Sequence, residues 1–409
     1  MSRTTALRRA AAIGALAPLL LLSACGGTAK GGAASSGKDL VLGASLSLTG
    51  ALGQFGVDLQ AGYRQRVSQI NAAGGLDVGG TRRHVKLTVL DNRSDPNTAT
   101  QQVRELVLKD GASALLGACT PPITVPQALA ADRQKVPYVT SCTPVRAFQA
   151  GNKAGWRYAW DLFFDEGDQA RAVAEGLAEV GANKKVALFT DTEPDGVAER
   201  PLYKQQAAAK GLTVVGDYTF PVGTTDFASF IDDAKRKGAQ LVVAQMVPPD
   251  GIALWKQMKA LDYKPTAAFA AKAASGKSWP QALGPLAEGT LSDEFWSPAT
   301  GAADSAALAN TLGKAFPGNL PDENIAVLGY TVAGVVADAF RKAASTDADQ
   351  VNAALRQTDA DYPLGRISFG RGHTSVTPYL LTQWQHGDVA VVAPAAPGVV
   401  LQAPAQGLR

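Results

Sequence analysis

The stretch LVLGASLSLTGALGQFGVDLQAGYRQRVSQINAAGG, residues 40–75, decides the fold of this chain. Its first seven residues form a short apolar run of the kind that builds a buried parallel strand. A loop punctuated by glycine follows at 50–56. Apolar residues then recur at helical spacing until Gly74 and Gly75, which end the predicted helix. The order strand, loop and helix predicts the first unit of a parallel α/β sheet.

The same alternation continues on the C-terminal side of this unit and then restarts. In the first series, strands are predicted at 85–90, 113–116 and 136–139, separated by helices after Asp95-Pro96 and at 125–133. In the second series, strands are predicted at 185–190, 212–218, 240–246 and 266–269, with helices at 197–210, 226–237 and 250–261. Asp226 and Asp250 are the predicted caps of the last two helices. Two separate series predict two α/β lobes with right-handed crossovers.

A further helix is expected at 323–342 and a hairpin at 379–392. The predicted division is a signal peptide at 1–24, a flexible tether at 25–38, a first lobe at 39–160 and 290–365, and a second lobe at 161–289 and 366–409. The tether is rich in Gly, Ser and Ala, a composition that packs against nothing.

The first residues indicate export. Arg3, Arg8 and Arg9 precede an apolar run at 10–22 that is too short to span a bilayer and is typical of a signal peptide. The run ends in Leu-Ser-Ala-Cys, which resembles the bacterial lipobox and makes Cys25 the predicted site of lipidation. The alternative is an ordinary signal peptide with a chance cysteine. Cleavage before Cys25 removes three of the 39 basic residues, which leaves 36 against 36 acidic residues and no net charge.

Composition excludes several classes of function. Balanced charges and a charged fraction of 18% argue against a disordered chain or a dedicated nucleic-acid binder. Three Cys cannot form a disulfide-rich scaffold, and three His, all expected at the surface, make a histidine metal site improbable. No hydrolase, zinc-protease or nucleotide-binding motif occurs. The segment 191–196 begins like a calcium loop, but Leu202 stands where the bidentate Glu belongs. We therefore expect no enzyme, no metal and no cofactor.

Several motifs resemble the branched-chain amino acid (Leu/Ile/Val)-binding family of periplasmic binding proteins. The most specific is Ile-Asn-Ala-Ala-Gly-Gly-Leu at 70–76. The others lie in the strand, loop and helix at 43–62, in the loops at 117–120 and 141–143 with the strand at 136–139, and in Gly-Arg-Ile-Ser-Phe at 365–369. The resemblance spans residues 40–384.

This resemblance implies an α/β fold of two Rossmann-like lobes with parallel sheets joined by three crossovers, the type I periplasmic binding protein fold. It implies an extracytoplasmic solute-binding protein of an ABC importer that closes on an organic carboxylate or an amino-acid-like ligand. The expected partners are this ligand, the permease subunits and, through lipid, the bacterial cell membrane; the chain is expected to be monomeric. The alternatives are a ligand-sensing ectodomain of the same fold and an exported enzyme.

The resemblance and the physics of parallel sheets point to the same first-lobe residues, since ligands bind beyond the carboxyl ends of such strands. These candidates are Cys119, Thr120, Ser141, Cys142 and Thr143. Hydroxyl groups and backbone N–H groups near helix N-termini suit a carboxylate. The alternatives are an ordinary N-cap at 120 and a turn at 141–143. Phe55 is expected to cover the ligand, or else to pack on its own lobe.

The second lobe departs from the family. The family's acidic partner of the ligand ammonium aligns with Lys272, and two of its aromatic contacts align with Val247 and Asp195. We expect Lys272 to face the cleft and to select against free amino acids, because a second cation would repel their ammonium group. The alternative is a solvated loop lysine.

Cys119 and Cys142 are expected to form a disulfide. They follow strands that should be neighbours, and the compartment is oxidising. Adjacent strands lie roughly 4.8 Å apart, within the range of Cα separations in disulfides. The alternative is a pair of buried free thiols.

Overall fold

A computed structural model describes residues 38–298, 305–315, 323–394, 398–403 and 406–408. The predicted signal peptide, Cys25 and all of the tether except Lys38 lie outside these residues. The strands are β1 Leu40–Leu46, β2 Leu76–Val78, β3 Thr81–Arg83, β4 Val85–Asp91, β5 Ala114–Leu116, β6 Tyr138–Thr140, β7 Ala159–Phe163, β8 Lys185–Asp191, β9 Thr213–Phe220, β10 Leu241–Met246, β11 Ala267–Lys272, β12 Leu291–Glu294, β13 Asp359–Tyr362, β14 Gly365–Ser368, β15 Thr374–Val376, β16 Leu380–Gln385 and β17 Asp388–Ala393.

Helices connect most of these strands. They are α1 Gly53–Ala72, α2 Pro96–Leu108, α3 Pro121–Gln134, α4 Val145–Ala150, α5 Glu166–Glu179, α6 Pro194–Ala209, α7 Ala228–Arg236, α8 Pro248–Ala260, α9 Ser278–Leu283, α10 Ser305–Ala315, α11 Glu323–Ala343 and α12 Ala348–Arg356, with short 3₁₀ turns at Gly284–Ala287 and Gln406–Leu408. Asp95 caps α2 by accepting from the N–H of Thr98. Asp226 accepts from the Ala228 N–H at 3.0 Å at the start of α7, as a cap does. Asp250 is not a cap and lies within the first turn of α8.

Two large sheets define two lobes. The first sheet has the order β15-β7-β6-β5-β1-β4, and all its strands are parallel. The second has the order β17-β16-β12-β11-β10-β8-β9. It is parallel from β9 to β12, whereas β16 and β17 pair antiparallel, as the predicted hairpin requires. The chain crosses between the sheets after β7, after β12 and after β15, which gives the three crossovers expected of the type I fold.

The predicted lobe boundaries differ from the sheets at three strands. All of β7 lies in the first sheet, although the expected boundary cuts it after Trp160. The strand β12 belongs to the second sheet and β15 to the first, the reverse of the expected assignment. In each case the chain crosses only after a strand is complete, and the local pattern does not reveal which sheet that strand joins.

The first lobe is built around α1 and α11, which pack together so closely that Gly62 and Gly329 have backbone atoms of the other helix where a side chain would begin. The helix α11 is apolar and long enough to cross a membrane by composition, but 83% of its most apolar window is buried. It is therefore the core helix of its lobe. This scaffold fixes the loops that follow β5 and β6 on one side of the interlobe cleft.

Candidate functional site between the lobes

A cavity lies between the two lobes. One side, the first-lobe wall, consists of Phe55, Thr120, Pro121, Cys142 and Pro144. The other side, the second-lobe wall, consists of Gln169, Asp195, Glu199, Gln245, Lys272, Ser275 and Asp293. Ile325 of α11 and three crossover aromatics, Phe163, Phe164 and Phe295, complete the lining. These side chains are nearly all buried, so the lobes are closed on each other.

Thr120 lies at the N-terminus of α3 and lines the cavity, and its hydroxyl is buried without a partner among the described residues. Its φ is 67°, and its side chain makes no capping hydrogen bond. Its backbone N–H donates to the Cys142 carbonyl at 2.9 Å. The next two residues, Pro121 and Pro122, have no N–H group. The expected cradle of free backbone donors for a carboxylate is therefore absent at the start of α3.

The start of α4 carries a carboxylate of the protein itself. The Glu166 side chain accepts from the backbone N–H groups of Arg146 and Ala147 at 2.9 and 2.8 Å. Burial raises the pKa of Glu166 in spite of these bonds. Because Glu166 occupies these donors, the second helix expected to hold a ligand carboxylate has lost its first free N–H groups.

Cys119 and Cys142 form a disulfide in the structure, with 4.6 Å between their Cα atoms. Cys142 lines the cavity, while Cys119 packs in the hydrophobic core of the first lobe. The bridge joins the loop after β5 to the loop after β6, so it ties together two parts of the first-lobe wall.

Lys272, the last residue of β11, reaches the cavity with two carboxylate partners. Its Nζ lies 2.7 Å from Asp195 Oδ2 and 3.3 Å from Asp191 Oδ2. Although burial opposes its charge, Asp191 and Asp195 raise the pKa of the Lys272 ammonium. Burial and the neighbouring Asp195 raise the pKa of Asp191 to about 6 in spite of Lys272. The expected uncompensated positive charge is therefore absent, because two buried aspartates share this one cation.

Two more buried acids line the same wall. Asp293 accepts from the Ser275 hydroxyl, from the Lys272 N–H at 3.2 Å and from Gln169 Nε2 at 3.3 Å. Burial raises the pKa of Asp293 to about 6 and that of Glu199 well above its usual range. Carboxyl groups thus outnumber the single lysine on the second-lobe wall.

Several cavity-lining oxygens have no hydrogen-bond partner among the residues that the structure describes. They are Thr120 Oγ1, Gln169 Oε1, Asp195 Oδ1, Glu199 Oε1 and Gln245 Oε1. Buried polar atoms in proteins are normally paired. The unpaired oxygens therefore indicate where a bound molecule or water completes the site.

The crossover aromatics form the apolar end of the cavity. The Phe163 centroid lies 4.6 Å from that of Phe164 and 4.4 Å from that of Phe295, and Phe164 stacks on Phe295 at 5.1 Å. Phe55 adds a fourth ring from the first lobe. Since Phe163, Phe164 and Phe295 lie where the chain passes between the sheets, both lobes hold this cluster in place.

Five of the nine residues predicted to bind ligand line the cavity: Phe55, Thr120, Cys142, Asp195 and Lys272. The other four, Cys119, Ser141, Thr143 and Val247, are buried and are not among the lining residues. Thr143 is bonded to Thr124 through their hydroxyls, and Val247 packs with the hydrophobic core of the first lobe. Contact of these four residues with a ligand stays a prediction.

Sequence reasoning missed most of the second-lobe wall. Glu199 lies one helical turn after Asp195 on α6, so helical spacing could have placed it beside the predicted residue. Gln169, Ser275 and Asp293 come from α5, the turn after β11 and β12, and no local pattern links them. Within the described part of the chain, no cluster of His, Cys, Asp and Glu has the arrangement of a metal site.

Comparison with known proteins identifies the class. The family model described as periplasmic binding protein matches residues 40–388, and the chain belongs to this family. Its fold is the type I fold of the branched-chain amino acid-binding proteins.

A curated relative from Brucella abortus, named Leu/Ile/Val-binding protein homolog 8, is 23% identical over 382 residues that cover 87% of this chain and 91% of the relative. The branched-chain amino acid transporter substrate binding protein of Streptococcus pneumoniae, solved in complex with isoleucine, has a TM-score of 0.76 at 21% identity, covering 90% of this chain and 100% of that one. A solute binding protein of an ABC transporter from R. palustris, solved with benzoate, has a TM-score of 0.75 at 19% identity, covering 89% and 98%. These neighbours show the shared fold.

Proposed function

We propose that this protein is the substrate-binding component of an ABC importer and works outside the cytoplasmic membrane. Its two lobes close around one small solute, and the closed form delivers that solute to the permease. The ligand is an amino-acid-like molecule or a small organic carboxylate. Relatives that are named as amino acid binders or solved with benzoate support this range.

The observation that carries this proposal is the composition of the cavity lining. Both lobes contribute to one cavity, and each contributes a residue with an unpaired oxygen, for example Thr120 Oγ1 and Asp195 Oδ1. A ligand that contacts both walls stabilises the closed state over the open one, because these contacts exist together only when the lobes meet.

The proposal includes a lipid anchor on Cys25. Two acyl chains on one residue give stable attachment, whereas a single chain gives only marginal binding. Replacing Cys25 with Ala should release folded protein into the medium. Replacing Cys142, which lies within the folded body, should not. Membrane retention of the Cys25→Ala protein after the signal peptide has been removed would contradict the anchor.

The ligand can be sought with the released Cys25→Ala protein. Native mass spectrometry should detect one co-purified small molecule per chain, and a thermal-shift screen of amino acids, aromatic acids, dicarboxylates and amines should find a compound that raises Tm. A protein that binds no member of the panel but converts one of them into a product would instead be an exported enzyme.

A further inference from the structure

Resting on the proposed function, we propose that the cavity selects an organic cation. The ammonium end of the ligand is held by Asp195 and Glu199 of α6, and a carboxylate on the ligand is dispensable. Within the amino-acid-like range of the proposed function, the ligand class is then a small amine with an apolar body, with or without a carboxylate. Lys272 serves as an internal counter-ion and not as a contact for an anionic ligand.

The first argument is the character of the unpaired atoms. The Asp195 side chain has one oxygen 2.7 Å from Lys272 Nζ, while its Oδ1 has no partner. Glu199 is fully buried and leaves its Oε1 unpaired. The side chains of Gln169 and Gln245 also have unpaired carbonyl oxygens. Their amide nitrogens donate to Asp293 and Asp195, respectively. A wall of acceptors is complemented by a group that carries several N–H donors.

The second argument is the balance of charge. Lys272 is the single basic residue in the cavity lining that the structure describes, and it contacts both Asp191 and Asp195. Within the part of the chain that the structure describes, neither Glu199 nor Asp293 forms an ion pair with a basic side chain of its own. Burial of a carboxylate is costly unless a cation compensates it. Burial disfavours the ionised form of Glu199 and raises its pKa. A positively charged ligand beside Glu199 favours that ionised form, whereas an anion disfavours it further.

The third argument concerns the opposite wall. A ligand carboxylate would need N–H donors from the first lobe. The start of α3 has two prolines, and Glu166 occupies the first N–H groups of α4. The starts of α3 and α4 therefore offer few of the backbone donors that an anion requires.

The aromatic rings give the fourth argument. Phe55, Phe163, Phe164 and Phe295 all line the cavity. The faces of aromatic rings attract cations, and this attraction strengthens when water is excluded. These four rings give the apolar body of an amine a place in the same cavity as the unpaired oxygens.

The test uses two sets, each made of an amino acid, the amine left when its carboxylate is removed and the acid left when its amino group is removed. The sets are leucine, 3-methylbutylamine and 4-methylpentanoate, and phenylalanine, 2-phenylethylamine and 3-phenylpropanoate. Binding to the Cys25→Ala protein is measured by isothermal titration at pH 7.5. The amine of at least one set should bind. The matching acid should bind at least ~100-fold more weakly, because its carboxylate would face the buried acidic side chains of the second-lobe wall.

Asp195→Asn and Glu199→Gln should each weaken binding of the amine by at least ~10-fold, the effect of losing a charged hydrogen bond. Asp262→Asn, which removes an exposed carboxylate that pairs with Lys264, should leave the affinity within ~2-fold. Each variant is first shown to be folded by circular dichroism; should Asp195→Asn fail to fold, Glu199→Gln alone decides.

Tight binding of an acid would overturn the inference and leave the proposed function intact. Absence of amine binding at millimolar concentration would also overturn it. The proposed function falls separately, if no compound of any class raises Tm and no small molecule co-purifies.

Discussion

The two walls of the cavity differ in how they are built. The first-lobe wall is made of short loops and helix starts whose donors are used by the protein: Thr120 N–H by Cys142, and the N–H groups of α4 by Glu166. The second-lobe wall concentrates buried acids around one lysine and leaves several oxygens unpaired. In the first wall the backbone donors named here are already used, while the second wall is polar and leaves several oxygens without a partner among the described residues.

This difference shows where specificity resides. The family motifs lie mostly in the first lobe, and there they specify a scaffold that related proteins share. The second-lobe wall holds the departures from the family, Asp195 and Lys272, which turn out to be ion-paired to each other. Ligand choice in this protein is therefore expected to depend on the second-lobe wall, and the following changes test the contrast.

The largest effect is expected from Lys272→Met. It leaves Asp191 and Asp195 buried without a cation, and removing one partner of a buried ion pair costs about 3–5 kcal/mol. Urea unfolding at pH 7.5 measures the loss. The loss should shrink at pH 5, where the freed carboxyl groups take up protons.

The matched control is Lys264→Met, since Lys264 pairs with Asp262 at the surface. Exposed pairs contribute at most about 1 kcal/mol. Equal losses for the two lysine variants would show that Lys272 is not the counter-ion of the buried acids.

The next effect concerns the first-lobe wall. Replacing both Cys119 and Cys142 with Ala removes a bridge between residues 23 positions apart. The chain-entropy estimate for such a loop is about 3 kcal/mol of the free energy of unfolding. Wild type in reductant should lose the same amount. Alkylation of two thiols in the unreduced wild type, measured by intact mass, would refute the bridge.

Asp161 of β7 offers a pH-dependent test in the first lobe. It is fully buried, neither carboxyl oxygen has a partner among the described residues, and burial together with Glu166 raises its pKa well above the usual range. The pKa of Asp161 is thus higher in the folded protein than in the unfolded chain, where it is about 3.9. A group of this kind contributes its full stability at pH values below the unfolded pKa, and this contribution is lost as the pH rises through the folded pKa.

Asp161→Asn should therefore stabilise the protein by on the order of 2 kcal/mol at pH 7.5 and by little at pH 4. Thermal unfolding across this pH range measures the difference. Asp388→Asn, which replaces an exposed carboxylate, is the control and should show no such trend. If the stability gained by Asp161→Asn does not grow with pH, then Asp161 ionises freely in the folded protein.

The smallest expected effect on the free energy of unfolding distinguishes a residue that caps a helix, Asp95, from a residue expected to bind the ligand, Thr120. Asp95 accepts from Thr98 N–H at 2.6 Å, so Asp95→Ala should cost about 1 kcal/mol. Thr120 makes no such bond, and Thr120→Val should cost less than about 0.5 kcal/mol while still changing ligand affinity. Equal costs in denaturant unfolding would make Thr120 an ordinary N-cap.

The fold was predictable because its signals are local. Apolar runs and helical spacing located β1, α1, β8 and β10 to within a few residues. The sheet that β12 joins was not predictable, because sheet membership depends on contacts between distant strands. The antiparallel pairing of β16 with β12 was missed for the same reason.

The site was predictable only in part. Strand ends indicated Thr120 and Lys272, but pairing of Lys272 with Asp191 joins side chains 81 positions apart, and no local pattern encodes it. His373 was expected at the surface. It is 3% exposed and stacks on Trp160 with ring centroids 3.7 Å apart, because β15 inserts beside β7. A polar segment in the sequence thus became interior through sheet pairing.

The central claim is that one solute is held by both lobes at once. Isothermal titration of the tightest-binding compound against wild type, Phe55→Ala and Asp195→Asn tests it most directly. We predict one molecule per chain and a loss of at least ~10-fold in affinity for each variant, because each removes a buried contact from a different wall. Unchanged affinity in either variant would contradict the claim, since it would place the ligand on one lobe or outside the cavity.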